Sequence, residues 1–166
     1  LDGSSHLFTP EKVMEIEHGL GADVIMAFDE CTPYPCTPEY ARGSMEMTLR
    51  WAERCLVRHQ ELSRERTHRP PQALFGIVQG SVYPDLRRHS ALALAGLDLP
   101  GYAIGGLAVG EPRTAMFAMI EAVLPHLPAG KPRYLMGVGL PHDLAEAVGA
   151  GLDLFDCVIP TRNARN

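Results

Sequence analysis

Short apolar runs recur along the chain at a regular beat: "DVIMAF" (23–28), "ALFGIV" (73–78), "GYAIGG" (101–106), "RYLMGV" (133–138) and "DLFDCVI" (153–159). Each is continuous and bounded by turn residues, which is the pattern of strands covered on both faces. Amphipathic stretches lie between them. Thr37-Pro38 reads as a cap and first helical residue, with Met45, Leu49, Ala52 and Leu56 at helical spacing. Pro84 opens a second helix carrying Leu86, Ala93 and Leu94. Thr114 is placed to cap a third, with Met116, Ile120 and Val123, and Pro141 opens a fourth with Leu144 and Val148, ended by Gly151. The stretch "SRERTHR" (63–69) reads as an exposed helix end and loop. Strand, helix, strand, helix predicts an α/β fold, a parallel sheet with crossover helices.

The 166 residues suffice for one domain with a real core, and 46% hydrophobic and 21% charged residues are the proportions of an ordinary globular protein. The apolar runs are far shorter than the ~20 residues that cross a bilayer, and no basic-then-apolar leader opens the chain, so neither a membrane nor secretion is expected. Four cysteines at this size read as reduced thiols of a cytoplasmic protein. A net charge of −5 argues against a protein that coats nucleic acid nonspecifically, while leaving room for a local basic patch.

The unusual polar residues gather at one end of the strands. Asp29 and Glu30 follow the first, Gln79-Gly80 the second, Gly105-Gly106 the third, Gly137-Val138-Gly139 the fourth, and Asp156 lies in or at the end of the fifth. That end carries the chemistry both in a (β/α)8 barrel and in an open doubly wound sheet. Five strands are too few for a closed barrel of eight, so the sheet is open or belongs to something larger. "GLAVGEP" and "GVGLP" match neither a P-loop nor a dinucleotide fingerprint and read as turns or phosphate-cradling loops. Cys31 and Cys36 lack a second Cys/His pair at zinc spacing and read as loop thiols, and Trp51, Met45 and Met47 as core.

Asp156 is the exception among these runs. A carboxylate inside an apolar strand costs several kcal/mol unless it is compensated. It is either a structural acid satisfied by backbone N–H groups or a reactive one. With Asp29 it forms a pair of carboxylates at catalytic strand ends. An aspartate, ionised at neutral pH, can attack an anomeric carbon and form a covalent glycosyl-enzyme.

Taken together, "MAFDECTPYP" (26–35), "FGIVQG" (75–80), "YAIGGLAVGE" (102–111), "YLMGVG" (134–139) and "DLFDCVIPTR" (153–162) resemble the queuine tRNA-ribosyltransferases, also called tRNA-guanine transglycosylases. The resemblance covers essentially the whole chain. It implies an irregular (β/α)8 TIM-type barrel, of which residues 1–166 would form about five consecutive β/α units of one catalytic domain. The implied pentosyltransferase reaction exchanges guanine-34 of tRNAs with a GUN anticodon (those for Asp, Asn, His and Tyr) for the 7-deazaguanine preQ1, in queuosine biosynthesis.

The resemblance also assigns residues. Asp156 would be the nucleophile that attacks ribose C1′. Asp29 would read the Watson–Crick edge of the base instead of moving protons. Gln79 and the backbone of Gly106 and Leu107 would read its carbonyl, Met136 would pack on its face, and Cys31 would lie close by. Thr161, Arg162, Asn163, Ala164 and Arg165 would contact the anticodon loop, as would Gly137, Val138, Gly139, Leu140, Pro141, His142 and Asp143. Loop bases can be splayed out and read on their edges, and guanidinium forks suit phosphates. Val109 fits the bacterial, preQ1-using pattern, and the "TPYP" and "PTR" contexts speak against an archaeal type. The family's "DSGGFQ" strand end, with its proposed acid/base, would precede Leu1. Its structural zinc site would follow residue 166, so no cofactor is expected within this chain. The chain is therefore expected to be a central segment, inactive alone, of an enzyme that dimerises at full length. A noncatalytic partner subunit is the alternative, and the joint presence of Asp156, Asp29 and Gln79 favours the catalytic reading.

Overall fold

The computed structural model describes residues 3–65 and 70–165; of the 63–69 stretch, expected to be an exposed helix end and loop, residues 63–65 end a helix and residues 66–69 lie outside the described residues. The elements run α1 (Pro10–Leu20), β1 (Val24–Met26), α2 (Pro38–Glu65), β2 (Ala73–Val78), α3 (Pro84–Ala95), β3 (Gly101–Ile104), α4 (Arg113–Val123), a 3₁₀ turn (Leu124–His126), β4 (Arg133–Leu135), α5 (Pro141–Ala150), β5 (Leu154–Phe155) and α6 (Ile159–Asn163).

All strands pair in parallel and lie in sequence order, β1-β2-β3-β4-β5. This order separates the two architectures that the alternation of elements left open. A doubly wound sheet reverses its strand order at a switch point, which distributes helices to both faces. Here the order never reverses. Right-handed crossovers then put every helix on the same side, and α1 to α4 pack each against the next. The sheet curls into a half-barrel, part of a TIM-type (β/α) barrel.

The core fills the space between sheet and helices. Leu74, Val78, Tyr102, Ile104 and Leu135 point outward from the strands and meet Leu94, Leu99 and Ile120, all buried. On the other face Val24, Ala73, Phe75 and Leu154 line an open hollow of about 580 Å³ with Pro100, Lys131 and Pro132. It lies at the N-terminal strand ends, away from the polar residues at the opposite end.

Several expectations need correction. The third crossover helix starts at Arg113 behind Pro112, so Thr114 is already inside it and does not cap it. Ala93 and Val148 face solvent; the buried positions of α3 are Leu86, Arg87, Ser90, Ala91 and Leu94. The fourth and fifth strands stop at Leu135 and Phe155. Asp156 therefore stands just past the end of β5 and not within the strand. Helix α1 was not expected. Thr9 accepts from Lys12 N as its cap, Pro10 is its first residue, Gly21 closes it at φ 78°, and Met14 and His18 bury one stripe. Charged pairs tie it to α2, with Arg54 on Glu11 at 2.7 Å and Arg58 on Glu15 at 3.0 Å.

Candidate active site

Asp29 follows β1, on a backbone held by the long helix α2. Phe28 N donates to Cys55 Sγ, Glu30 N donates to Thr48 Oγ1 (3.0 Å), and Ser44 Oγ donates to Glu30 O. The Phe28 ring stacks on Trp51 at 4.7 Å, which accounts for that tryptophan, while Met45 is in the core and Met47 is half-buried. Asp29 is thus fixed from both sides. Its carboxylate accepts a 2.7 Å hydrogen bond from Gln79 Nε2 at the end of β2. Burial raises the Asp29 carboxyl above the usual aspartate range, and the Gln79 bond only partly opposes this.

Gln79 is itself buried, and the bond to Asp29 sets its amide orientation. Its Oε1 then faces Gly106 and has no hydrogen-bond partner among the described residues. Gly106 sits in the left-handed region at φ 62°, and a β-carbon on it would fall 2.2 Å from that oxygen. Only glycine lets the β3 loop rest directly on the Gln79 amide. Beneath both lies Arg87, wholly buried on α3. Its guanidinium donates to the carbonyls of Val78 (3.0 Å), Ser81 (2.7 Å), Gly105 (2.6 Å) and Gly106 (2.9 Å).

Leu107 is buried, and the loop then turns back through Ala108 at φ 59°. The Glu111 carboxylate accepts from Ala108 N and from Val109 N (3.0 Å), closing the loop like a cap, with Val109 exposed. The Cys31 thiol approaches the Gly106 backbone. Burial first, then the Asp29 charge, raises its pKa, which favours the neutral thiol. All four cysteines are free. Cys36 meets Ser81, away from Cys31, and among the described residues no three His, Cys, Asp or Glu side chains gather to hold a metal ion.

Across the sheet, Asp156 Oδ1 accepts from Tyr134 Oη (2.6 Å) and Gly137 N (2.7 Å). Oδ2 takes no hydrogen bond among the described residues. One oxygen is anchored and the other remains open. Burial and the Asp156 carboxylate push the Tyr134 hydroxyl up to about 12, which keeps it a donor. Gly137 N reaches Asp156 from a backbone at φ 76°. The Met136 side chain is half-buried at the same rim, its sulfur 3.5 Å from where a Gly105 β-carbon would lie. A flat sheet would put Asp29 and Asp156, four strand spacings apart, roughly 19 Å from each other. Curling turns both strand ends toward a common centre.

The residues expected to meet RNA divide. Thr161, Arg162, Asn163, Ala164 and Arg165 are all exposed, on α6 and the turn after it. In the 137–143 loop, Gly137, Leu140, Pro141 and His142 are exposed and Gly139 packs on Cys157. Val138 and Asp143 are buried instead, Asp143 accepting from Arg113 Nε at 2.6 Å. Reading the sequence missed three participants: Tyr134, Glu111 and Arg87. The signal for Arg87 was available, since it lies three and four positions before Ser90 and Ala91 on the buried stripe of α3.

A curled parallel half-barrel, with two carboxylates and a set of amide donors at the C-terminal strand ends, defines a (β/α)-barrel protein with a polar site on that rim. Comparison with known proteins gives the family. The family model for Queuine tRNA-ribosyltransferase matches residues 1–166. The chain is 58% identical over 166 residues to the queuine tRNA-ribosyltransferase of Desulforamulus reducens, 57% to that of Haemophilus ducreyi and 56% to that of Caldanaerobacter subterraneus subsp. tengcongensis. The chain belongs to the queuine tRNA-ribosyltransferase family. It spans 43%, 42% and 42% of those three relatives' lengths. No helix among the described residues is long and apolar enough to cross a membrane.

Proposed function

We propose that this chain carries the base-reading and nucleophilic part of a tRNA-guanine transglycosylase. The observation that carries the reading is Asp156, with Oδ1 held by two donors and Oδ2 open. In the reaction Oδ2 attacks C1′ of guanosine-34, the C1′–N9 bond breaks, and guanine leaves with the electron pair. An aspartyl–ribose ester joins the tRNA to the protein. N9 of the incoming preQ1 then attacks C1′ and gives its proton to solvent, while the C1′–O bond of the ester breaks with its electron pair returning to the Asp156 carboxylate; the guanine anion takes a proton from solvent, so the exchange balances. Asp29 accepts from the ring N–H and amino group of the base, charge-assisted bonds of the stronger kind. Gln79 and the Gly106–Leu107 backbone read the carbonyl, Met136 covers the face of the ring, and Cys31 stands at its edge. The exposed segment from Thr161 to Arg165 and the tip of the 137–142 loop hold the anticodon loop of a GUN-type tRNA. The full-length enzyme acts in the cytoplasm as a homodimer.

The test is exchange of labelled guanine into tRNA by the full-length enzyme. Label should enter a GUN-anticodon tRNA and not the same tRNA with adenine at position 34; equal labelling of both, or of neither, refutes the reading. Tyr134→Phe removes one of the two donors that orient Asp156. Its kcat should fall about 3- to 20-fold, the weight of one such hydrogen bond, with base affinity unchanged. A change confined to affinity would put Tyr134 in base binding instead.

A further inference from the structure

We propose that Arg87 is a positioning residue for base recognition, turning the Gly105 and Gly106 carbonyls away from the pocket so that the next two backbone N–H groups become the donors for the carbonyl of the base. The inference rests on the functional reading above.

The argument starts from the peptide plane. In a trans peptide the C=O and the following N–H point in opposite directions. Arg87 Nη1 holds the Gly105 carbonyl at 2.6 Å and Nη2 holds the Gly106 carbonyl at 2.9 Å. The N–H groups of Gly106 and Leu107 must therefore point away from the guanidinium. Left to itself, a glycine pair can rotate either group into a pocket, because glycine populates both signs of φ readily. Gly106 does sit at φ 62°, with the Gln79 amide directly against its Cα and Arg87 Nη2 holding its carbonyl. The two contacts together select one peptide orientation.

Charge adds to orientation. Among the described residues no carboxylate lies within salt-bridge distance of Arg87, and four backbone carbonyls compensate the ion instead. Burial pushes the guanidinium down to about 10, so it remains protonated at neutral pH. A cation on the C=O side polarises each peptide and strengthens the N–H on the other side. Such donors do most where negative charge develops, as it does on the carbonyl of a departing guanine. A plain structural clamp on the ends of β2 and β3 would need the hydrogen bonds but would have no connection to the ligand's carbonyl.

That difference is measurable. In the full-length enzyme, Arg87→Lys and Arg87→Gln are titrated calorimetrically with guanine and with 6-thioguanine. The thio base keeps the ring N–H and amino donors that Asp29 reads but replaces the carbonyl oxygen by sulfur, a weak acceptor. Wild type should prefer guanine. Each variant should lose about tenfold or more for guanine and less than about threefold for 6-thioguanine, one hydrogen bond's worth of discrimination. Lys, which keeps the charge, should retain more of the preference than Gln. The ratio is taken within one protein, so a smaller folded fraction does not distort it. Equal losses for the two bases, or failure of both variants to fold, would assign Arg87 to the scaffold and overturn the proposal. Wild type binding neither base would overturn the functional reading together with it.

Discussion

Replacing Asp156 with Asn in the full-length enzyme is expected to abolish the tRNA adduct that survives denaturation. The amide has nearly the same shape and can keep Oδ1 on Tyr134 and Gly137 N, so the loop between β4 and β5 should stay in place. What it loses is the negative oxygen. A neutral amide is a poor nucleophile toward C1′, and loss of a covalent catalyst typically costs on the order of 10⁴-fold or more in kcat. Affinity for the free base should be nearly unchanged, because Asp156 belongs to the ribose side of the site. The check is a denaturing gel of enzyme incubated with tRNA, beside a base-binding titration. An adduct of wild-type intensity would remove Asp156 from the chemistry.

Asp29→Asn is expected to weaken guanine and preQ1 by about 2–4 kcal/mol, roughly 30- to 1,000-fold, because an acceptor becomes a donor facing the donors of the purine edge. The same carboxylate predicts a pH dependence. Its pKa in the empty site is raised, chiefly by burial. Base binding needs the ionised form, so affinity should be full above that pKa and decline as pH falls through it, at a higher pH than for an exposed aspartate near 3.9. The linkage to stability has the opposite sense. A raised folded-state pKa means that the ionised carboxylate costs the empty fold stability at higher pH, a cost that is relieved as the group protonates. A bound base that donates to Asp29 offsets it. Calorimetry with preQ1 between about pH 4 and pH 8 on wild type and Asp29→Asn checks both points. The variant should be weak and nearly flat with pH. A flat wild-type profile, or an unweakened variant, would take Asp29 out of base reading.

Much of this was legible because the chain states its turns plainly. Pro38, Pro84 and Pro141 open α2, α3 and α5 as expected, the apolar run at 73–78 became β2, and the run at 101–106 holds β3, which ends at Ile104. Asp29 and Gln79, fifty residues apart, meet because parallel neighbours end at the same rim. Asp156, read as lying in or at the end of the fifth run, stands one residue past β5, because the apolar run reaches beyond the strand. Arg87 was hidden. In "DLRRH" it looks like a solvated charge, and only the helical phase relative to Ser90, Ala91 and Leu94 shows that it faces inward. Glu111 acts through short-range loop geometry and Tyr134 through a contact between neighbouring strand ends, and no periodicity encodes either.

The central claim is that Asp156 forms the bond to ribose while Asp29 reads the base. The most direct measurement maps the covalent link. Full-length enzyme is incubated with tRNA and denatured, the RNA and protein are digested, and the peptide bearing the residual ribose is sequenced by mass spectrometry. The account predicts the modification on Asp156 and an unmodified Asp29. A ribose ester on Asp29, or on any other acid, would contradict it.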